Sequence, residues 1–222
     1  MRLTIVAATG GIGNQLLAQA VVAGHEVTAV VRSPTWLPEA SVRVVRADLS
    51  APDPASLRTA VHRSDAVLSG LGARSVAEAG VASRGTRALI AAMRTTGVRR
   101  LVVVSAASVG TVPSPGRPNP PRHNPGDGIF MRHLAAPLAK AAFRKHYVDL
   151  ALMEDLVQES DLDWTVLRPP RLLNRSPRWR YRTADGQNVR AGMFISRAHV
   201  AHHMLDVLDR PETIHHVIGI AY

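Results

Sequence analysis

The sequence predicts an α/β protein built on one doubly wound parallel sheet, and three observations carry that expectation. Short β-branched apolar runs recur along the chain, bounded by turn residues, as strands buried on both faces are. Helix-compatible stretches separate them, two of them ending in a glycine, Gly24 and Gly97, where a left-handed residue closes a helix. A glycine cluster, Gly10, Gly11 and Gly13, lies between the first strand and the first helix.

Taken in order, strands are expected over residues 3–8, 26–31, 42–45, 66–69, 101–105 and 164–167, and helices over 12–23, 54–62, 83–96 and 147–159. Repeated β-α units with short connections give a parallel sheet with helices on both sides. The stretch 112–128, VPSPGRPNPPRHNPGDG, holds too much Pro, Gly and Asn for helix or strand. It follows the fifth strand, which places it beside the ligand crevice of an open sheet, as a lid or a disordered segment. A helix-like apolar series, Ile129, Phe130, Met131, Leu134 and Leu138, comes next and would face a ligand, a partner or the core. In the irregular region 171–192, Asp185-Gly186 signals a hairpin between residues 179–183 and 189–195. Segments 112–143 and 171–195 would then form a small substrate-side insertion on a single domain spanning 1–222.

The chain has 222 residues, 46% hydrophobic and 20% charged, within the range of one folded domain. It contains no cysteine, which suits a reducing cytoplasm and removes thiolate chemistry. No export signal or bilayer-spanning run is read, so a soluble cytoplasmic protein is expected. The formal charge is +10, yet the arginines are scattered as singles and short pairs. They read as an arginine-rich surface or an attraction for small anions, with neither nucleic acid nor membrane as partner. Without an exposed heptad or apolar helix face, a monomer is favoured.

Strand, then Thr9-Gly10-Gly11-Ile12-Gly13, then helix is the order that brings backbone N–H groups and a positive helix end to a pyrophosphate. Gly10 would lie close to the phosphates and Gly13 would let the helix approach the strand, although Ala7 stands where the fingerprint wants a first glycine. Arg32 ends the second strand where NAD-preferring sites carry an acid, so a 2′-phosphate, and hence NADP(H), is favoured. Asp48 and Leu49 follow the third strand, positioned for an adenine edge. Gly70, Leu71, Gly72 and Arg74 close the fourth.

The ordered set ATGGIG, VVRSP, RADL, SGLGAR, VVVSAAS and DLALMEDLVQESDLDWTVLRPPRL resembles the atypical short-chain dehydrogenase/reductase superfamily over nearly the whole chain. The likeness is to its NAD(P)H-binding, NmrA-like branch, with flavin reductases of the biliverdin-IXβ reductase type. It implies a Rossmann sheet and NADP(H), lined by the residues above together with Ser105, Ala106 and Pro169. Typical members of the superfamily use Ser, Tyr and Lys. Ser105 matches the serine and Tyr147 opens the matching helix, but Ala151 stands four residues on and 147–159 holds no lysine. An unassisted phenol is a poor acid at neutral pH, so Tyr147 also reads as a packing residue.

Flavin reductase-like proteins need no such pair, because a conjugated acceptor takes hydride directly and the protein supplies orientation. Arg171 and Leu150 stand where the resemblance places substrate-site histidines, and Arg171 would favour an acidic or phenolate-bearing acceptor. The catalytic candidates are therefore Ser105, Arg171 and Tyr147, in an NADPH-dependent reductase acting on a small planar acceptor such as a flavin, quinone or polyketide-like aromatic. Two alternatives stand beside it. One is a non-catalytic NADP(H)-sensing protein; the other is an isomerase or cyclase using Asp149 or Glu154, acids that otherwise read as a solvated helix face. His199, His202 and His203 share a helix capped by Ser196 and read as solvent-facing rather than metal-binding. His215 and His216 lie on a final strand. No metal site is expected.

Overall fold

A computed structural model of the chain describes residues 1–33, 42–73, 75, 78–128, 143–174 and 180–222. Eight strands form one sheet in the order β3-β2-β1-β4-β5-β6-β10-β8. They are β1 (Arg2–Val6), β2 (Glu26–Val31), β3 (Val42–Arg46), β4 (Ala66–Ser69), β5 (Arg100–Val104), β6 (Asp163–Arg168), β8 (Arg182–Asp185) and β10 (His216–Ala221). All neighbours pair in parallel except β8, which runs antiparallel to β10. Chain order reverses between β1 and β4, where helices leave to opposite faces and a crevice opens at the carboxyl ends of the strands.

The helices are α1 (Gly11–Val22), α2 (Pro54–Val61), α3 (Val81–Thr96), α4 (Arg144–Gln158) and α5 (Arg197–Asp206). Their ends follow local chemistry. Asp53 caps α2 by accepting from the Ala55 and Ser56 amides, with Pro54 at the first position, and Gly97 closes α3 at φ 75°. Alternate strand residues feed two apolar layers. Val67, Leu101, Val103 and Val166 pack with α2, α3 and α4, whereas Leu68, Val102, Val104 and Leu167 pack with α1 and α5. Among the described residues, no helix is long and apolar enough to cross a membrane.

Four expectations need correction. Asp185-Gly186 does turn the chain, with Gly186 at φ 65°, but β8 pairs with β10 rather than with residues 189–195. Those residues supply β9 (Phe194–Ser196), which pairs in parallel with β7 (Arg171–Leu173) as a separate two-stranded sheet. A turn signal fixes a reversal, whereas the partner strand is chosen by which edge is free.

Second, residues 112–128 are anchored to the body rather than left as a disordered segment. The Asp155 carboxylate accepts from Ser114 Oγ and the Gly116 amide, both at 2.9 Å, and Asn124 Nδ2 donates to the Ala107 carbonyl at 3.1 Å. The Asn188 amide then donates to the Pro125 carbonyl at 3.1 Å, tying this stretch to the 171–195 region. The apolar series 129–138 lies outside the described residues.

Third, Asp149 and Glu154 are buried, not solvated. Asp149 caps the start of α3, accepting from the Ala82 and Ser83 amides and from Ser83 Oγ. Glu154 takes both arms of the Arg168 guanidinium, with Arg168 Nε at 2.9 Å from Oε1. Fourth, His203 is 3% exposed and points into the fold rather than outward, its Nδ1 3.2 Å from the Asp206 carboxylate. Ser196 does cap α5, accepting from the His199 amide at 3.1 Å.

Candidate functional site

The carboxyl ends of β1, β2, β3 and β4 enclose a cleft of about 320 Å³ whose walls include Ala7, Arg32, Asp48, Leu71, Gly72 and Glu78. The turn after β1 shapes one end of it. Ala7 takes φ 58°, its carbonyl accepts from the Gly10 amide at 2.8 Å, and Gly10 then becomes the N-cap of α1. Because a glycine offers no capping side chain and the first turn holds no acid, the leading N–H groups of α1 are left for something else to meet.

The glycines here are steric requirements. A Cβ on Gly13 would collide with the Ala7 carbonyl oxygen, and one on Gly70 would lie 3.3 Å from the Gly13 nitrogen. Helix α1 thus seats directly on β1 and β4. Thr9, Gly10 and Gly11 stay at the surface of this turn while Ile12 is buried beneath it.

At the end of β2, Arg32 Nη1 meets Glu78 Oε1 at 2.7 Å, a pair whose hydrogen bond and charge raise the guanidinium pKa further. Asp48 accepts from Ser50 Oγ at 2.7 Å and from the Ser50 amide at 2.9 Å. Those bonds, with a smaller share from the Arg32 charge, hold its carboxyl below the usual range. Leu49, though largely buried in the core, also lines the cleft beside it. Arg74 lies outside the described residues.

Ser105 and Ala106 follow β5. The Ser105 amide donates to the Leu167 carbonyl at 2.8 Å, and the Pro169 carbonyl accepts from the Ala107 amide at 2.9 Å, so β5 and β6 end together. Ser105 Oγ is buried and has no hydrogen-bond partner among the described residues. A buried hydroxyl with no partner among the described residues, at the open end of a parallel sheet, is a position where a ligand's polar group could be met.

Tyr147 is not that partner. Its phenol bonds to Ser108, in the 3-10 turn Ala107–Thr111, and burial raises its pKa despite that bond. Arg171 opens β7 and is exposed, and none of Ser105, Tyr147 and Arg171 is among the residues lining the cleft.

Sequence reasoning missed two residues that tertiary structure brings here. Glu78 arrives from the turn before α3 to meet Arg32. His146, one residue before Tyr147, points Cε1 to within 3.8 Å of where a Gly72 Cβ would stand. Its Nδ1 is a buried nitrogen without a hydrogen-bond partner among the described residues, and burial lowers its pKa, against the pull of Asp149. The imidazole is accordingly neutral at neutral pH. No spacing rule flags a histidine beside a tyrosine; the orphaned atom does.

These features fit a dinucleotide: a side-chain-free turn, uncapped helix amides, a cation at the end of β2 and an orphaned hydroxyl at the end of β5. Residues 7–211 match the protein family described as NAD(P)H-binding. The chain belongs to that family. A Bacillus subtilis relative of this NAD(P)H-binding protein, the uncharacterized protein YwnB, is 28% identical over 96% of this chain and 94% of its own. Two solved structures share the fold. A short-chain dehydrogenase/reductase from Veillonella parvula in complex with NADP superposes with a TM-score of 0.78 at 19% identity, covering 100% of this chain and 94% of its own. ChuY from Escherichia coli O157:H7, described as an anaerobilin reductase, gives 0.77 at 23% identity, covering 100% and 97%. Among the described residues, no group of three or more His, Asp or Glu is placed to hold a metal.

Proposed function

We propose that this NAD(P)H-binding protein is a cytoplasmic, NADPH-dependent reductase that passes hydride to a planar conjugated acceptor such as a flavin, quinone or polyketide-like aromatic. The carrying observation is the end of β5. Ser105 Oγ there has no hydrogen-bond partner among the described residues, nor has His146 Nδ1 beside Gly72, while Tyr147 is turned to Ser108 and has Ala151, not lysine, one turn on. A Tyr147 without a lysine one turn on suits an acceptor whose own conjugation absorbs the hydride electrons and whose proton comes from water.

The bound cofactor supplies the hydride; the chain positions and shields. Ser105 Oγ donates to, or accepts from, the polar edge presented at β5, and neutral His146 offers a second such contact from α4. Arg32 supports NADPH over NADH as a guanidinium at the end of β2 that would pair with a 2′-phosphate in exchange for Glu78. Buried Asp149 and Glu154 are committed to a helix cap and an ion pair, which removes the acids that an isomerase or cyclase would use.

The test follows NADPH oxidation with flavins, quinones and anaerobilin as acceptors. Turnover well above the protein-free rate is expected with at least one of them. Tight NADP(H) binding with no acceptor turned over would overturn the reductase reading in favour of a nucleotide sensor. Arg32→Ala is expected to weaken NADPH about ten- to a hundred-fold while leaving NADH nearly unchanged. Equal loss for both would remove Arg32 from recognition of the 2′-phosphate.

A further inference from the structure

Arg197 lies across the glycine turn of α1, contributed by an element far away in sequence. It is the first residue of α5, held in place by the buried N-cap Ser196 on one side and by Gln19 Nε2 donating to the Ala198 carbonyl at 2.9 Å on the other. From there its side chain reaches back along α1. A Cβ on Gly11 would stand 2.6 Å from Arg197 Nε and 2.7 Å from its Cδ, so the guanidinium stem rests on the first residue of the helix.

That position is electrostatically unfavourable by itself. The start of a helix carries partial positive charge, and a cation there is repelled. Neither end of the contact is neutralised: the first turn of α1 has no acid, and Arg197 makes no ion pair among the described residues. Its hydrogen bond is to a neutral group, Nη1 donating to Asn174 Oδ1 at 2.5 Å. Arg32, by contrast, already faces a carboxylate. An anion between the α1 amides and the Arg197 fork would satisfy both, and a guanidinium suits a phosphate group bidentately.

We infer that Arg197 grips the diphosphate of the bound dinucleotide, as a cation clamping from α5 against the glycine turn of α1. The geometry points it to the diphosphate rather than the 2′-phosphate, because its stem rests on Gly11 in the glycine turn. Arg32 ends β2, on the far side of β1 from β4, whereas Arg197 follows β9 and packs along α1. The inference rests on NAD(P)H binding alone and holds whichever acceptor is reduced.

Calorimetric titration of the full chain with NADP⁺, NAD⁺ and adenosine 2′-monophosphate tests it. For Arg197→Gln, both dinucleotides should weaken by the same factor, about tenfold or more, and adenosine 2′-monophosphate should be unaffected. Arg197→Lys should recover part of the loss, and the loss should shrink as salt rises. The melting temperature of Arg197→Gln without nucleotide should equal or exceed that of the parent, because a cation leaves the positive end of a helix. Unchanged dinucleotide affinity, with or without a fall in melting temperature, overturns the inference and leaves a strap between α5 and α1. A loss confined to NADP⁺ overturns it too, by assigning Arg197 to the 2′-phosphate. Failure of the Arg32 reading is separate, since it would appear as Arg32→Ala acting equally on NADP⁺ and NAD⁺.

Discussion

Ala7 takes φ 58° at the point where β1 turns into the glycine loop, and that conformation places its carbonyl to accept from the Gly10 amide. A residue with a Cβ is strained there by about 1–2 kcal/mol, whereas glycine enters freely but gives up more unfolded-chain entropy, about 0.5–1 kcal/mol. The two effects leave a net gain of about 0.5 kcal/mol for Ala7→Gly, or a melting temperature higher by about 1–2 °C. Scanning calorimetry resolves that shift, and a lowered melting temperature would show that the strain is absent. The fingerprint position was legible in the sequence; its left-handed backbone was not, because alanine carries no signal for it. Glu78 and His146 were illegible for another reason. Each gains its role from a neighbour distant in sequence, Arg32 in one case and Gly72 in the other.

At the level of elements, α4 does more than cover the sheet. Its buried face carries Glu154 against Arg168 of β6, and Asp155 against the proline-rich stretch that follows β5. Glu154 is 0% exposed and Arg117 Nη2 lies 3.7 Å from it as a second cation. Removing one member of a buried pair strands the other, which costs about 3–5 kcal/mol. Glu154→Gln keeps one hydrogen bond and should sit at the low end, near 3 kcal/mol, lowering the melting temperature by about 6–12 °C. A drop below about 2 °C would show that Arg168 is hydrated rather than stranded. The helix itself followed from its apolar periodicity, but its acids are indistinguishable in sequence from a solvated face. Only the arrival of Arg168, Ser114 and Gly116 separates the two.

At the scale of the whole molecule, three histidines among the described residues hold pKa values lowered by burial: His146, His199 and His203. His203 is pulled back upward by Asp206, without cancelling the burial effect. A folded-state pKa below the unfolded value of about 6.5 means that the unfolded chain binds more protons in acid. The stability these groups contribute is therefore complete above about pH 6.5 and is lost as pH falls below it. Melting temperatures measured from about pH 7.5 to about 5.5 should decline, and His203→Asn should flatten the decline. A flat profile in the parent protein would mean that these rings titrate normally.

The order of strands and helices, the parallel sheet and the glycine turn were determined by sequence alone. Periodicity, β-branched runs and residues with special backbone freedom act over a few neighbours, and the chain states them directly. Which edge β8 joins, how residues 112–128 are anchored, and which charges meet at the cleft were decided only on folding. Those outcomes depend on groups such as Asp155 and Ser114, or Arg197 and Gly11, which are far apart along the chain. Burial and desolvation, which give such contacts their energy, arise only when the two sheet faces close.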